Sequence, residues 1–169
     1  GETGGYDTII SKHNTSNEGR SWILWRETGR SDVSFWTFVD DVSTNMRSNT
    51  LINGVWYNVV VTYDGTNKKM YVNGVLETTV ATPSIDSKPQ INVFIGSSGD
   101  DGLDDNFDGT IDEVRIYNRS LSTEQIVSLY ENKTTTLVFN ETNGGEIWQA
   151  CITPNDGNED GSEVCSNNL

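Results

Sequence analysis

The chain is 169 residues long and strongly acidic: 25 acidic side chains stand against 11 basic ones, which gives a net charge of −14. This charge excludes nucleic acid and anionic membranes as partners, because both would be repelled, whereas divalent cations and neutral glycans are compatible with it. The sequence contains no run of roughly 18 apolar residues, so it predicts no membrane insertion. Its length allows one domain of about 100–200 residues, or one domain with a small appendage.

Short strand signals follow one another along the first three quarters of the chain, after residues 1–5, which look like an expression-vector remnant. The predicted strands are residues 8–10, 21–25, 33–39, 56–63, 69–72, 75–76, 91–95 and 110–117. Asn73-Gly74 predicts a tight hairpin turn, because both residues can take positive φ. Strands at this spacing, with no helix between them, predict an all-β fold of two antiparallel sheets.

One short helix is predicted over residues 123–131. Ser122 occupies the N-cap position and Gln125 completes a capping box, while Leu121 and Ile126 form a hydrophobic staple. Residues 133–136 then predict a linker. Beyond it, residues 137–139 and 146–152 predict two further strands, so the domain is expected to span residues 6–131 and a C-terminal extension residues 132–169.

Two segments carry a resemblance to a known family. Residues 54–65 with 70–74 (GVWYNVVVTYDG and MYVNG) and residues 107–126 (FDGTIDEVRIYNRSLSTEQI) resemble the hairpin and the closing strand and helix of laminin-G-like, concanavalin A-like domains. The resemblance implies a jelly-roll sandwich over residues 6–131 in which Trp56 is a core residue. It also implies a secreted or cell-surface protein that binds glycans or proteins, in many members with calcium.

One departure from that family leads to a further prediction. Its members carry strands before the segment that begins here at Tyr6, and an uncovered apolar sheet edge promotes aggregation. We therefore expect either residues 137–139 or a strand from a second chain to cover the edge. The tail from Glu146 separately resembles the end of an immunoglobulin-like module.

Two acidic segments are candidate calcium sites, since hard oxygen ligands suit this ion. The first is the aspartate-rich loop at residues 99–109, where five aspartates would repel one another unless a cation or solvent relieves them. The second is residues 156–161 (DGNEDG), which match the start of a calcium loop but lack the glutamate at position twelve. The alternative for both is a solvated acidic loop. The candidate ligands are Asp101, Asp104, Asp105, Asp108, Asp112, Asp156, Asn158 and Asp160.

Tryptophans suggest a glycan-binding surface, because an indole face packs against the C–H face of a sugar. Trp25, with Arg26 beside it in sequence, and Trp36 are the candidate ligand-binding residues. Trp22 and Trp25 are three residues apart, so in a regular strand they face opposite ways, as do Phe35 and Trp36. Most tryptophans in a sandwich are core residues, which is the alternative for each of them.

Catalysis has little support in the sequence. Glycosidases of concanavalin-like fold need carboxylates at alternate positions of one strand, and here Asp112 and Glu113 are adjacent, so they point to opposite faces. No nucleophilic triad or zinc motif occurs either. We therefore expect a protein without enzymatic activity.

The cysteines and glycosylation sequons predict an extracytoplasmic protein. Cys151 and Cys165 have the wrong spacing for a redox or zinc motif, so a disulfide closing a short loop is expected. Acceptor sequons begin at Asn14, Asn118, Asn132 and Asn140. The function that these observations favour is a binding or adhesion module for glycan or protein, with calcium as a candidate cofactor. The alternative is a structural spacer or capping module.

Overall fold

The computed structural model describes residues 5–13, 19–99, 105–133, 151–152 and 162–165. The chain forms two compact units, Gly1–Lys133 and Thr134–Leu169. The described elements, in chain order, are β1 (Tyr6–His13), β2 (Arg20–Glu27), β3 (Val33–Val39), β4 (Val42–Arg47), β5 (Val59–Tyr63), β6 (Asn67–Val72), β7 (Val75–Ala81), β8 (Phe94–Ile95), α1 (Thr123–Tyr130), β9 (Cys151–Ile152) and β10 (Val164–Cys165).

The first unit is built from two antiparallel sheets, as the strand pattern predicts. A five-stranded sheet has the order β4-β3-β2-β1-β8, and a three-stranded sheet has the order β5-β6-β7. The predicted hairpin joins β6 to β7, where Asn73 and Gly74 both have positive φ, 49° and 77°. This arrangement is consistent with the expected jelly-roll sandwich.

The hydrophobic core lies between the inner faces of the two sheets. Leu24, Phe35 and Met46 contribute from the five-stranded sheet, and Met70 from the three-stranded sheet packs against them. Trp22 packs on this core from β2, on the face opposite to Trp25, as the alternation predicts. The outer face of the five-stranded sheet is therefore defined by the residues between these core positions.

The helix packs on the other side of the three-stranded sheet. Leu121 and Ile126 are buried with Tyr71 of β6 in a second apolar cluster. The capping box is confirmed: the Gln125 amide donates to Ser122 Oγ at 3.3 Å, and the Ser122 amide donates to Gln125 Oε1 at 3.0 Å. The predicted helix therefore forms, one residue shorter than expected.

Trp56 is not a core residue, and this prediction is wrong. The strand begins only at Val59, and Trp56 lies before it with 65% of its surface exposed. Gly54 has a φ of 78°, so the chain is still turning just upstream. Tyr57 instead stabilises this turn, because its hydroxyl accepts a hydrogen bond from the Ile52 amide at 3.1 Å.

Two further strand predictions are wrong: one predicted strand is too long, and the other does not form. Of residues 91–95, only Phe94–Ile95 pair, with β1. Residues 110–117 form no strand in the part of the chain that is described. Glu113 has a φ of 52°, a conformation that an extended strand cannot contain, and Val114 and Ile116 are exposed.

Within the second unit, β9 and β10 form a two-stranded antiparallel sheet. Its register places Cys165 directly opposite Cys151, a position compatible with the disulfide, which stays a prediction. The strand predicted at residues 137–139 lies outside the described residues. The covering of the sheet edge by this segment or by a second chain therefore stays a prediction.

Candidate functional site

Two tryptophans lie side by side on the outer face of the five-stranded sheet. In the register of β2 and β3, Trp25 lies opposite Ser34, two residues from Trp36. Because side chains alternate along a strand, both indoles are on the face opposite to Leu24 and Phe35, which pack in the core. The fold thus brings the two predicted surface tryptophans together.

Tyr6 joins them from β1, and the three residues are called here the aromatic cluster. The Tyr6 ring stacks on the Trp25 indole with centroids 3.9 Å apart and planes 8° from parallel. The Trp36 indole meets Trp25 edge-on at 5.4 Å and 68°. All three side chains are partly exposed. Rings that pack against one another in this way form a rigid apolar surface, so binding a ligand there costs little side-chain conformational entropy.

Four charged side chains lie at the neighbouring end of the same sheet and form the charged cluster: Glu27, Arg30, Asp32 and Arg47. Arg30 donates two hydrogen bonds to Asp32, Nε to Oδ1 at 2.8 Å and Nη2 to Oδ2 at 2.9 Å. Arg47 bridges the two carboxylates, at 3.4 Å from Glu27 Oε2 and 3.5 Å from Asp32 Oδ2. The four groups thus neutralise one another.

The register places the charged cluster next to the aromatic cluster. Tyr6 lies opposite Glu27 between β1 and β2, and Trp25, Ser34 and Arg47 lie in one row across β2, β3 and β4. Side chains in such a row are cross-strand neighbours, about 4.5–5.5 Å apart at Cβ. The outer face therefore offers aromatic rings and hydrogen-bonding charged groups within the reach of one small ligand.

The local electrostatics keep Asp32 ionised. The hydrogen-bonded Arg30 guanidinium lowers the pKa of the Asp32 carboxyl below its usual range, against the effect of burial, and the same contact raises the pKa of Arg30. A polar depression of about 460 Å³ adjoins these two residues and is lined by residues 29–32 and 48–50. Hydroxyl and amide groups of Ser31, Asn49 and Thr50 add neutral polar atoms to its wall.

The structure does not place Arg26 with Trp25. It is the next residue on β2, so its side chain points to the opposite face. Its guanidinium donates to the Arg30 carbonyl at 2.9 Å and to Asn53 Oδ1 at 2.9 Å. These contacts connect the loop that carries Arg30 to the segment after β4. Arg26 therefore helps to hold together the two segments that line the depression, from the opposite face of the sheet.

The described residues do not assemble the predicted calcium ligands. Asp101, Asp104, Asp156, Asn158 and Asp160 lie outside the described residues. Asp105 is buried and accepts a hydrogen bond from Ser98 Oγ at 3.4 Å, while Asp108 and Asp112 are exposed. Within the described ranges no three His, Cys, Asp or Glu residues are grouped as a metal site would require. Calcium binding therefore stays a prediction.

The sequons are split between described and undescribed residues. Asn118 and Asn132 are exposed, as a glycosylation acceptor must be. Asn14 and Asn140 lie outside the described residues. Among the described helices, none is long and apolar enough to pass through a bilayer.

Sequence reasoning missed the whole charged cluster and one member of the aromatic cluster. Tyr6 lies before the first predicted strand, residues 8–10, and its contact with Trp25 depends on the register of β1 against β2. Glu27 and Arg47 are 20 residues apart and meet only because β3 lies between their strands. No local pattern contains such contacts.

Comparison with known structures supports the same fold. The chain superposes on the CBM40 domain of the Ruminococcus gnavus IT-sialidase, free and bound to alpha2,3 sialyllactose, each with a TM-score of 0.60 and 17% identity over 75% of this chain and 74% of that chain. A mutant of HCR/D matches with a TM-score of 0.51 and 19% identity, over 76% of this chain and 33% of that one. At these identities the likeness concerns the fold alone.

The comparison with sequence families is more specific. No curated protein matches the chain. The family model Laminin_G_3, described as the concanavalin A-like lectin/glucanases superfamily, matches residues 1–127, which is most of the chain and contains both clusters of the outer face. The chain belongs to this family.

Proposed function

We propose that the chain is a non-catalytic glycan-binding module and that sugar binds on the outer face of the five-stranded sheet. The observation that carries the proposal is the pairing of Trp25 with Trp36, beside charged groups on the same face. Binding sites for small ligands combine apolar and aromatic surface with a few placed polar groups. The CBM40 neighbour bound to alpha2,3 sialyllactose shows that a related sandwich can hold a sugar.

The charges on this face support binding rather than hydrolysis. A retaining or inverting glycosidase needs one carboxylic acid whose pKa is raised, so that it can protonate the leaving oxygen. On the outer face Arg30 lowers the pKa of Asp32 instead, and Glu27 is also paired with arginine. A carboxylate with a lowered pKa, such as Asp32, does not suit a general acid near neutral pH.

The setting that we propose is extracellular, either secreted or on a cell surface. The exposed sequon asparagines Asn118 and Asn132 support it. A disulfide between Cys151 and Cys165, for which the β9–β10 register is suitable, would belong to the same oxidising setting.

The test is a glycan array followed by affinity measurements on variants. Trp25→Ala and Trp36→Ala should each weaken binding of the best ligand by about tenfold or more, since each removes a stacking surface. Trp56→Ala is the matched control: it also removes an exposed indole, but one outside the aromatic cluster, and should leave the affinity unchanged. An array without hits, with and without calcium, would instead favour the structural spacer. Equal losses in all three variants would place the site elsewhere.

A further inference from the structure

We propose that the glycan recognised on the outer face is uncharged, so that the site selects neutral sugars over sialylated or sulfated ones. This inference rests on the proposed function and adds the chemical class of the ligand. It is drawn from how the charges of the site are already paired.

The charges of the charged cluster balance one another, and Arg47 Nη1, which is buried without a hydrogen-bond partner, lies 3.5 Å from Asp32 Oδ2. The two arginines, Arg30 and Arg47, are matched by the two carboxylates of Glu27 and Asp32. The Arg30–Asp32 contact is bidentate, the geometry in which a guanidinium binds a carboxylate most strongly. A sialic acid carboxylate or a sulfate would have to displace Asp32, and this would leave a largely buried carboxylate without its partner.

The remaining groups of the site suit hydroxyls. The aromatic cluster offers ring surface for the C–H face of a sugar. The outer oxygens and N–H groups of a closed ion pair can still accept from or donate to a neutral hydroxyl without breaking the pair. At longer range the chain's net charge of −14 disfavours the approach of any anion.

Two arginines of β2 have no carboxylate partner within the described residues: Arg20, whose guanidinium lies over the Phe38 ring at the far end of β2 from the charged cluster, and Arg26. Arg26 lies on the opposite face of β2, and its side chain is held by the Arg30 carbonyl and Asn53. It is therefore not placed to receive an anionic substituent from a sugar on the outer face.

The experiment compares matched neutral and acidic glycans on the full chain. An array carrying each oligosaccharide with and without sialic acid or sulfate identifies the best neutral ligand, and calorimetry then measures it and its acidic derivative. We expect the neutral form to bind at least tenfold more tightly and its affinity to change less than twofold between about 50 and about 500 mM salt, since screening has little to act on. Tighter binding of the acidic form, still lost in Trp25→Ala, would overturn this inference and leave the proposed function standing. No binding to any glycan would overturn both.

A charge variant makes the test sharper. Glu27→Gln removes one of the two carboxylates and leaves the arginines in excess, so the ratio of acidic to neutral affinity should rise severalfold. Glu131→Gln makes the same change in net charge at the end of α1 and should leave that ratio unchanged. Equal ratios in wild type and both variants would mean that the charged cluster does not set the selectivity.

Discussion

At the scale of single residues, Lys68 is the feature that the sequence least suggests. It lies in the polar first half of β6 (NKKMYV), yet its side chain is fully buried between the two sheets. Its ammonium group donates to Thr37 Oγ1 at 3.0 Å, to the Thr44 carbonyl at 2.6 Å and to Thr44 Oγ1 at 3.0 Å. Burial lowers the pKa of Lys68 to about 8.

This burial gives a testable dependence of stability on pH. Below about pH 8 both folded and unfolded chains carry the charge, and the folded chain bears its desolvation cost. Between about pH 8 and the ordinary lysine pKa of 10.5 the unfolded chain binds more protons, so the free energy of unfolding should rise with pH, by up to about 3 kcal/mol. Urea unfolding across this range measures the rise.

Lys68→Met should remove the rise, because methionine fills a similar volume without a proton to lose. Lys69→Met is the matched control: Lys69 is the next residue on the same strand and is not fully buried, so the rise should persist. Parallel pH profiles for wild type and Lys68→Met would show that the Lys68 ammonium is not desolvated in the folded chain.

Residue environments were predictable from sequence only where strand alternation decides them. It placed Trp22 and Trp25 on opposite faces, and likewise Phe35 and Trp36. It could not place Lys68 in the core, because the threonine oxygens that satisfy its ammonium come from β3 and β4, some 24 to 31 residues away.

At the scale of secondary-structure elements, the helix depends on its N-terminal cap. Ser122→Ala removes the acceptor for the Gln125 amide and should lower the free energy of unfolding by about 1 kcal/mol. Chemical unfolding monitored by tryptophan fluorescence measures this loss. Ser87→Ala is the control: it removes the hydroxyl of an exposed serine outside the helix and should lower the free energy of unfolding by about a few tenths of a kcal/mol at most. A Ser122→Ala variant as stable as the control would mean that tertiary packing alone holds α1.

Elements with complete local signals were predicted well. β3 has the predicted bounds, and the turn at Asn73-Gly74 and the helix start at Ser122 were identified, because turn and cap chemistry is contained in a few adjacent residues. β4 was not predicted, because most of its residues are polar and only Met46 is buried, so its sequence shows no alternation of apolar and polar residues. The predicted strand at residues 110–117 does not form, and the positive φ of Glu113 that interrupts it is not visible in the pattern of apolar residues.

At the scale of the whole molecule, the resemblance to laminin-G-like domains predicted the family and the sandwich, and the matched family confirms both. The same resemblance wrongly predicted that Trp56 is buried in the core. A sequence motif identifies which residue matches the family, but it does not show whether other elements of the fold cover that residue. The charged cluster was beyond sequence reasoning, since it forms across β2, β3 and β4 together.

Calcium dependence is also a property of the whole molecule and stays a prediction. If the aspartate-rich loop or residues 156–161 hold the ion with micromolar affinity, millimolar calcium should stabilise the fold by about 4 kcal/mol. A thermal melt in calcium and in chelator measures this as a rise in melting temperature. Equal melting temperatures would remove calcium from the account.

The central claim is that sugar binds over the aromatic cluster on the outer face, and the indole N–H signals of the five tryptophans test it most directly. In a ¹⁵N-labelled sample titrated with the best ligand from the array, the signals of Trp25 and Trp36 should shift in a saturable way. The signal of Trp56, exposed but outside the aromatic cluster, should stay in place. Saturable shifts of Trp56 with Trp25 and Trp36 unmoved would contradict the account.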